Sequence, residues 1–231
     1  SILVFMGIFT TLTVPVLLTW TTNWLKKRGE LVHQGSREGY LILGANSLGL
    51  YLADKLRKNY TVTVVDSNRE LVAIAKNKGF DAIHGNILKE EIMEDAGALE
   101  KGTFIALTGN SEINLLAAQL ANDAFYIPQK IVLVSPSEAG ADVDLLEPIG
   151  ASSMFANKTN IFPWIHKITS NEFEDKKVEV KEEISARDWV KQNRDSEINL
   201  LPILIESTED EIRPYHYDET IFPGEKVIYL Q

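Results

Sequence analysis

Short apolar runs alternate with amphipathic segments along most of the chain after residue 39. The first run, Tyr40–Leu43, ends at Gly44 and predicts a buried strand. Apolar residues then recur at helical spacing, which predicts a helix from near Ser47 to about Arg57. A strand, a glycine turn and a helix therefore open this part of the chain.

The alternation continues to residue 135. Further strands are predicted at 60–66, 81–86, 103–110 and 130–135, and further helices at 71–80, 89–98 and 111–125. This order predicts an α/β fold with a Rossmann-like, doubly wound parallel sheet, whose ligand crevice lies at the carboxyl ends of the strands. Asp66, Asn86 and Thr108 fall at such ends.

The glycine turn has the chemistry of a phosphate site. Gly44 permits a tight turn, Gly49 lets helix and strand approach, and the helix N-terminal amides face a phosphate. Asp66 follows at the distance expected for a carboxylate that accepts hydrogen bonds from ribose hydroxyls. A plain strand-to-helix turn is the alternative.

Asn46 stands where the dinucleotide pattern has its middle glycine. Two consequences are open at this stage. The side chain crowds a pyrophosphate, or Asn46 adopts the left-handed conformation and hydrogen-bonds the ligand.

The N-terminal segment carries no charge before Lys26, and residues 2–24 exceed the ~20 apolar residues that a membrane helix needs. Trp20 and Trp24 suit a membrane interface, and the positive charges of Lys26 to Arg28 predict that everything after Arg28 is cytoplasmic, at an inner membrane. Residues 1–28 are therefore predicted to be a transmembrane helix with a basic flank that contacts the lipid bilayer. A buried helix of a soluble protein is the alternative.

Composition narrows the function. A formal charge of −10 gives no footprint for nucleic acid, and the lack of cysteine excludes thiolate metal sites and cysteine nucleophiles. No catalytic set and no metal site is predicted, since an acidic run holding Glu172, Glu174 and Asp175 is typical of a solvated face.

Residues 39–157 resemble the regulator-of-potassium-conductance (RCK) domain, also called TrkA-N. The resemblance rests on "LILGANSLG", "TVTVVDSNRE", "GFDAIHGNILKEEIMEDAGA", "IALTGNSEINLLAAQLA" and "LLEPIGASSMFA". Residues 176–231 resemble the small companion domain TrkA-C more weakly, which implies a small α+β domain after the sheet. The resemblance implies a regulatory site for NAD(H) or for an adenine nucleotide (ATP, ADP or AMP).

The resemblance also implies a set of binding residues. It places phosphates on the glycine turn, ribose on Asp66, adenine beside Asn86 and Ile87, and a facing wall after the fourth strand. The predicted contacts are Gly44, Ala45, Asn46, Ser47, Leu48, Gly49, Asp66, Ser67, Asn86, Ile87, Thr108, Gly109 and Asn110. Asn46 and Asn86 depart from the family pattern, which expects glycine and aspartate there.

The N-terminal segment resembles the last membrane helix of sodium/proton antiporters. It implies a regulatory domain of a monovalent cation/proton antiporter whose membrane domain lies upstream in the same chain. A potassium channel or uptake system and an NAD-dependent oxidoreductase are the alternatives. The apolar stretch 155–168 indicates a homodimer, as in the resembling family, or a local core contact.

Overall fold

The computed structural model describes residues 37–135, 143–155, 159–193 and 200–231, together with Val14. Apart from Val14, the predicted transmembrane segment at residues 1–28 lies outside the described residues, so the span stays a prediction. Among the described residues, no helix combines the length and apolar character needed to cross a bilayer. Residues 38–231 form one compact unit that contains the three sheets described below.

The first sheet is parallel and Rossmann-like. Its strands pair in the order β3-β2-β1-β4-β5-β6. They are β1 (Tyr40–Leu43), β2 (Val62–Asp66), β3 (Asp81–His84), β4 (Thr103–Ala106), β5 (Gln129–Val132) and β6 (Ala151–Ser153). The five strands predicted from the sequence are confirmed: β1 has its predicted bounds, and the other four are shorter than their predicted ranges.

Strand β6 was not predicted as a strand. It is the short sequence Ala-Ser-Ser at the edge of the sheet, and it lacks the apolar run that marks a buried strand. Its backbone pairs in parallel with β5, where Ala151 lies opposite Lys130. Pairing with an existing edge therefore forms this strand in the absence of a side-chain signal.

The helices connect and cover the strands. They are α1 (Ser47–Leu56), α2 (Arg69–Asn77), α3 (Glu90–Asp95), α4 (Ser111–Asp123), α5 (Phe162–Thr169) and α6 (Ala186–Asn193). The four helices predicted within residues 47–125 are confirmed. Helix α2 begins two residues before its predicted start because Asn68 caps it, accepting from the Glu70 amide at 2.9 Å.

The core lies on both faces of the central strand β1. Ile42 packs on the side of α1 and α2, with Leu52 of α1, whereas Leu41 packs on the side of α3 and α4, with Met93 of α3. All four side chains have no measurable exposure. A parallel strand buried on both faces reads as a continuous apolar run, which is why β1 was recognisable.

A small antiparallel β domain follows. Its four-stranded sheet has the order β10-β9-β12-β7, and β8 pairs with β11. The strands are β7 (Asp175–Glu179), β8 (Ile184–Ser185), β9 (Leu201–Glu206), β10 (Ile212–Pro214), β11 (Thr220–Ile221) and β12 (Lys226–Leu230). Helix α6 begins after Ser185, whose hydroxyl accepts from the Asp188 amide at 3.1 Å.

The small domain docks on the edge of the parallel sheet. The Tyr217 amide donates to the Ser153 carbonyl at 2.8 Å, next to a bridge between Met154 and His216. Side chains of β9, including Leu201 and Ile203, join the core on the α1 side of the parallel sheet. One hydrophobic cluster therefore extends across both domains, and the small domain has a second cluster around Trp189.

The apolar stretch after β6 forms a local core contact. Phe155 and Trp164 are 0% and 3% exposed within the single chain, whereas Phe162 is 58% exposed. The homodimer stays a prediction.

Candidate functional site

The glycine turn between β1 and α1 has the two backbone features predicted for it. Gly44 has a φ of +116°, and a Cβ there would lie 2.9 Å from the Leu107 carbonyl oxygen. A Cβ on Gly49 would lie only 2.1 Å from the Gly44 carbonyl oxygen. The turn is therefore tight, and α1 lies against the end of β1 as closely as glycine allows.

Asn46 caps the helix and does not adopt the left-handed conformation, which was one of the two interpretations left open by the sequence. Its backbone is extended, with φ −69° and ψ 170°. Its side-chain oxygen accepts from the amides of Leu48 at 3.1 Å and Gly49 at 3.0 Å. Its side-chain nitrogen donates to the Leu107 carbonyl at 2.8 Å. An asparagine needs no left-handed backbone to serve as an N-cap.

Asp66 lies beside the turn at the carboxyl end of β2. One oxygen accepts from the Ala45 amide at 2.7 Å, and the other accepts from the Asn68 amide at 2.8 Å. A carboxylate has about four acceptor positions, so this one retains capacity for two ribose hydroxyls. The two backbone bonds fix its orientation.

Polar residues at the ends of β3 and β4 stabilise their own turns. Asn86 accepts from the Leu88 amide at 3.0 Å, and Asn110 caps α4 by accepting from Ile113 at 2.9 Å. Each asparagine retains its side-chain nitrogen as a donor and a second acceptor position on its oxygen. Thr108 bonds to the Asn114 side chain at 2.6 Å.

These strand ends surround a cavity of about 590 Å³. Nine of the thirteen predicted contacts line it: Gly44, Asn46, Asp66, Ser67, Asn86, Ile87, Thr108, Gly109 and Asn110. Leu48 and Gly49 are buried beneath the turn, and Ala45 and Ser47 instead line a neighbouring cavity of about 670 Å³. The predicted crevice therefore exists, but much of the α1 N-terminus does not line it.

Apolar side chains complete the cavity, and their role was not predicted. They are Leu43, Leu71, Leu88, Ile113, Phe162 and Ile165. Phe162 and Ile165 belong to α5, and a Cβ on Gly109 would meet the Phe162 ring at 2.7 Å. The sequence contained an apolar surplus at 155–168 but gave no sign that α5 lies over this crevice.

Helix α5 is held to the turn on the side of the neighbouring cavity. The Ser47 hydroxyl bonds to the Thr169 hydroxyl at 2.5 Å, and its distance to the Ile165 carbonyl is 3.3 Å. Tyr51 on α1 donates to Asp175 at 2.6 Å, and burial raises the pKa of Tyr51, so this hydroxyl stays a donor. Helix α1 is therefore joined both to α5, which covers the crevice, and to the small domain.

The arrangement suits binding better than bond making. Among the described residues that line the cavity, the ionisable side chain is that of Asp66. Its carboxylate faces the cavity as a hydrogen-bond acceptor. The described residues contain no cluster of acidic or histidine side chains able to hold a metal ion. In the acidic run, Glu174 pairs with Lys176, and Asp175 pairs with Lys55.

The family model of the TrkA-N domain matches residues 40–157, which span the parallel sheet and its helices. This chain belongs to the TrkA-N family. The match covers just over half of the chain and includes every strand end that lines the cavity. In this chain, Asn46 of the glycine turn caps the N-terminus of α1.

Named relatives and solved structures resemble parts of the chain. A Trk system potassium uptake protein TrkA from Azorhizobium caulinodans is 38% identical over 86 residues, covering 35% of this chain and 19% of that protein. The TrkA-N domain of the Escherichia coli inner membrane protein ybaL covers 59% of this chain and 97% of its own, with 19% identity and a TM-score of 0.46. The match to a GsuK channel bound to NAD covers 95% of this chain and 42% of the channel chain, with 13% identity and a TM-score of 0.44.

The chain spans about a fifth to a quarter of the length of the curated relatives that it matches. The TrkA-N match and the cavity geometry are therefore what a functional proposal rests on.

Proposed function

We propose that this chain is a nucleotide-responsive regulatory part of a potassium transport system or channel. The observation that carries the proposal is the TrkA-N match over residues 40–157, which coincides with a cavity that presents Asp66. The potassium assignment is supported by the curated relatives, which are named as potassium uptake proteins.

The proposed ligand is an adenine nucleotide, either NAD(H) or one of ATP, ADP and AMP. The retained acceptor positions of Asp66 suit ribose hydroxyls, and Ile87, which is 2% exposed, supplies an apolar wall for a base. The side-chain nitrogens of Asn86 and Asn110 add hydrogen-bond donors.

A cation/proton antiporter is the second candidate host. The uncharged run at residues 2–24, followed by Lys26 to Arg28, favours a membrane helix with a cytoplasmic remainder. On this proposal the upstream membrane domain and the lipid bilayer are partners, the location is the inner membrane, and the domain forms a homodimer. The ion carried distinguishes the two hosts.

An oxidoreductase is the weaker alternative. General acid–base chemistry requires a side chain within hydrogen-bond reach of the transferred proton. In the described part of the cavity wall the ionisable side chain is Asp66, whose two oxygens already accept backbone amides. Regulation needs only that ligand binding favours one conformation of the domain.

The test measures rubidium and sodium flux in cells that express the complete transport system with the wild-type chain or with Asp66→Ala. Asp81→Ala is the matched control, because Asp81 also accepts a hydrogen bond, from Thr63 at 2.8 Å, but does not line the cavity. We expect Asp66→Ala to abolish the response of flux to adenine nucleotide, and Asp81→Ala to retain it. A rubidium effect favours the potassium host, and a sodium effect favours the antiporter. An unchanged nucleotide response in both variants would refute the proposal.

A further inference from the structure

The N-terminus of α1 already contains a protein acceptor at the place where a dinucleotide fold holds phosphate. We infer that the crevice recognises the nucleoside part of its ligand, and that Asn46 takes the place of a phosphate and makes the site selective against dinucleotides. The inference rests on the proposed nucleotide site and specifies its ligand class.

Three backbone amides of the turn donate to side chains of this chain. Those of Leu48 and Gly49 donate to the Asn46 oxygen, and that of Ala45 donates to Asp66. A phosphate bound at a helix N-terminus accepts hydrogen bonds from such amides. A pyrophosphate would therefore compete with Asn46 for the same donors.

Asn46 is also anchored at its other end. Its side-chain nitrogen donates to the Leu107 carbonyl, 61 residues away, at 2.8 Å. The side chain thus spans from α1 to the residue that follows β4. Displacement by a phosphate breaks three hydrogen bonds at once, and the Leu107 carbonyl gains nothing from an anion.

The charge of the cavity points the same way. Asp66 is the only ionisable side chain among the described residues of the lining, and it is negative. Recognition of phosphate groups usually involves arginine or lysine, which the described lining lacks. Each added phosphate therefore brings negative charge toward Asp66 without a cation to offset it.

The remaining groups suit a base and a ribose. Asp66 offers acceptors for a diol, Asn86 and Asn110 offer side-chain nitrogens, and Ile87 and Phe162 offer apolar surface. Adenosine contains both complementary parts, and its phosphorylated forms add negative groups for which the described lining has no cation.

The test is calorimetric titration of the full 231-residue chain with adenosine, AMP and NAD. In the wild type we expect phosphates to add no affinity, so that AMP and NAD bind no more tightly than adenosine. In Asn46→Gly we expect AMP and NAD to bind about tenfold more tightly, because the freed amides can donate to a phosphate and the free energy of one helix cap corresponds to about that factor in affinity. The affinity for adenosine should not change. Glycine is a tolerated N-cap, so the helix should persist.

Asn68→Gly is the matched control. Asn68 caps α2 with the same two types of bond, to Glu70 at 2.9 Å and Leu71 at 3.4 Å, but does not line the cavity. Glycine keeps the backbone amide that donates to Asp66, so this variant should leave the order of the three affinities unchanged. Asn46→Asp is a second variant that keeps a capping oxygen and adds negative charge. The binding of AMP and NAD should therefore weaken, whereas the binding of adenosine should not.

Two results would overturn the inference while leaving the proposed nucleotide site in place. One is wild-type binding of AMP or NAD at least tenfold more tightly than adenosine. The other is an equal change in the affinity for all three ligands in both Asn46 variants. If the wild type binds none of the three at millimolar concentration, the proposed nucleotide site itself fails.

Discussion

Gly49→Ala tests how closely α1 lies against the glycine turn. Alanine normally stabilises a helix interior relative to glycine, by ~1 kcal/mol. At Gly49 the added Cβ would lie 2.1 Å from the Gly44 carbonyl oxygen, well under the 3.0 Å that real Cβ atoms respect. The obstacle is backbone, so α1 and the end of β1 must separate by about 1 Å.

Such overpacking typically costs ~1 to 3 kcal/mol, and the severity of this contact places it at the upper end. With ~1 kcal/mol regained from helix propensity, we expect a net loss of about 2 kcal/mol in the free energy of unfolding. Gly109→Ala is the matched comparison. Its Cβ would meet the Phe162 ring at 2.7 Å, and that ring is 58% exposed and free to turn aside, so the expected change is under ~1 kcal/mol.

Urea unfolding, followed by circular dichroism and by the fluorescence of the tryptophans, measures both variants against the wild type. Reduced stability in Gly49→Ala with little change in Gly109→Ala supports the described turn. A Gly49→Ala variant as stable as the wild type, or more stable, would show that the backbone approach is not as close as described.

Two further predictions concern the small domain and the cavity wall. A bidentate hydrogen bond from Arg213 lowers the pKa of Glu225, so its stabilisation is complete above the ordinary value of 4.5 and is lost as pH falls through the lowered pKa. Glu225→Gln should therefore be less stable than the wild type in urea at pH 7, and the difference should shrink at low pH; a constant difference would contradict this. Phe162→Ala should weaken adenosine binding severalfold with little loss of stability, whereas Phe222→Ala, which removes a ring that is 51% exposed away from the cavity, should not; equal affinities in both would exclude a role for Phe162.

The sequence allowed the parallel sheet to be predicted because its central strands are buried on both faces. The sequence has apolar runs at Tyr40–Leu43 and at 103–106, and Gly44 and Gly49 marked the turn between β1 and α1. The order of strand and helix then determined where strand ends, and so the crevice, would lie. These features depend on local composition and period.

What was not predicted depends on contacts between distant residues. Asn46 had two open interpretations because its partner at Leu107 comes from another strand end. Ala151–Ser153 carries no apolar signal, and its pairing with β5 alone makes it a strand. The position of α5 over the crevice depends on the packing of Trp164, which the sequence shows only as an apolar surplus.

The central claim is that Asp66 holds the ribose of an adenine nucleotide in this crevice. Calorimetric titration of the wild-type chain with AMP and with its 2′,3′-dideoxy analogue tests this most directly, because the ligands differ only in the groups that Asp66 is proposed to accept. A hydrogen bond to a charged group contributes ~1.5 to 3 kcal/mol, so AMP should bind about tenfold or more tightly than the analogue. Equal affinity for the two ligands, or no binding of either at millimolar concentration, would contradict the account.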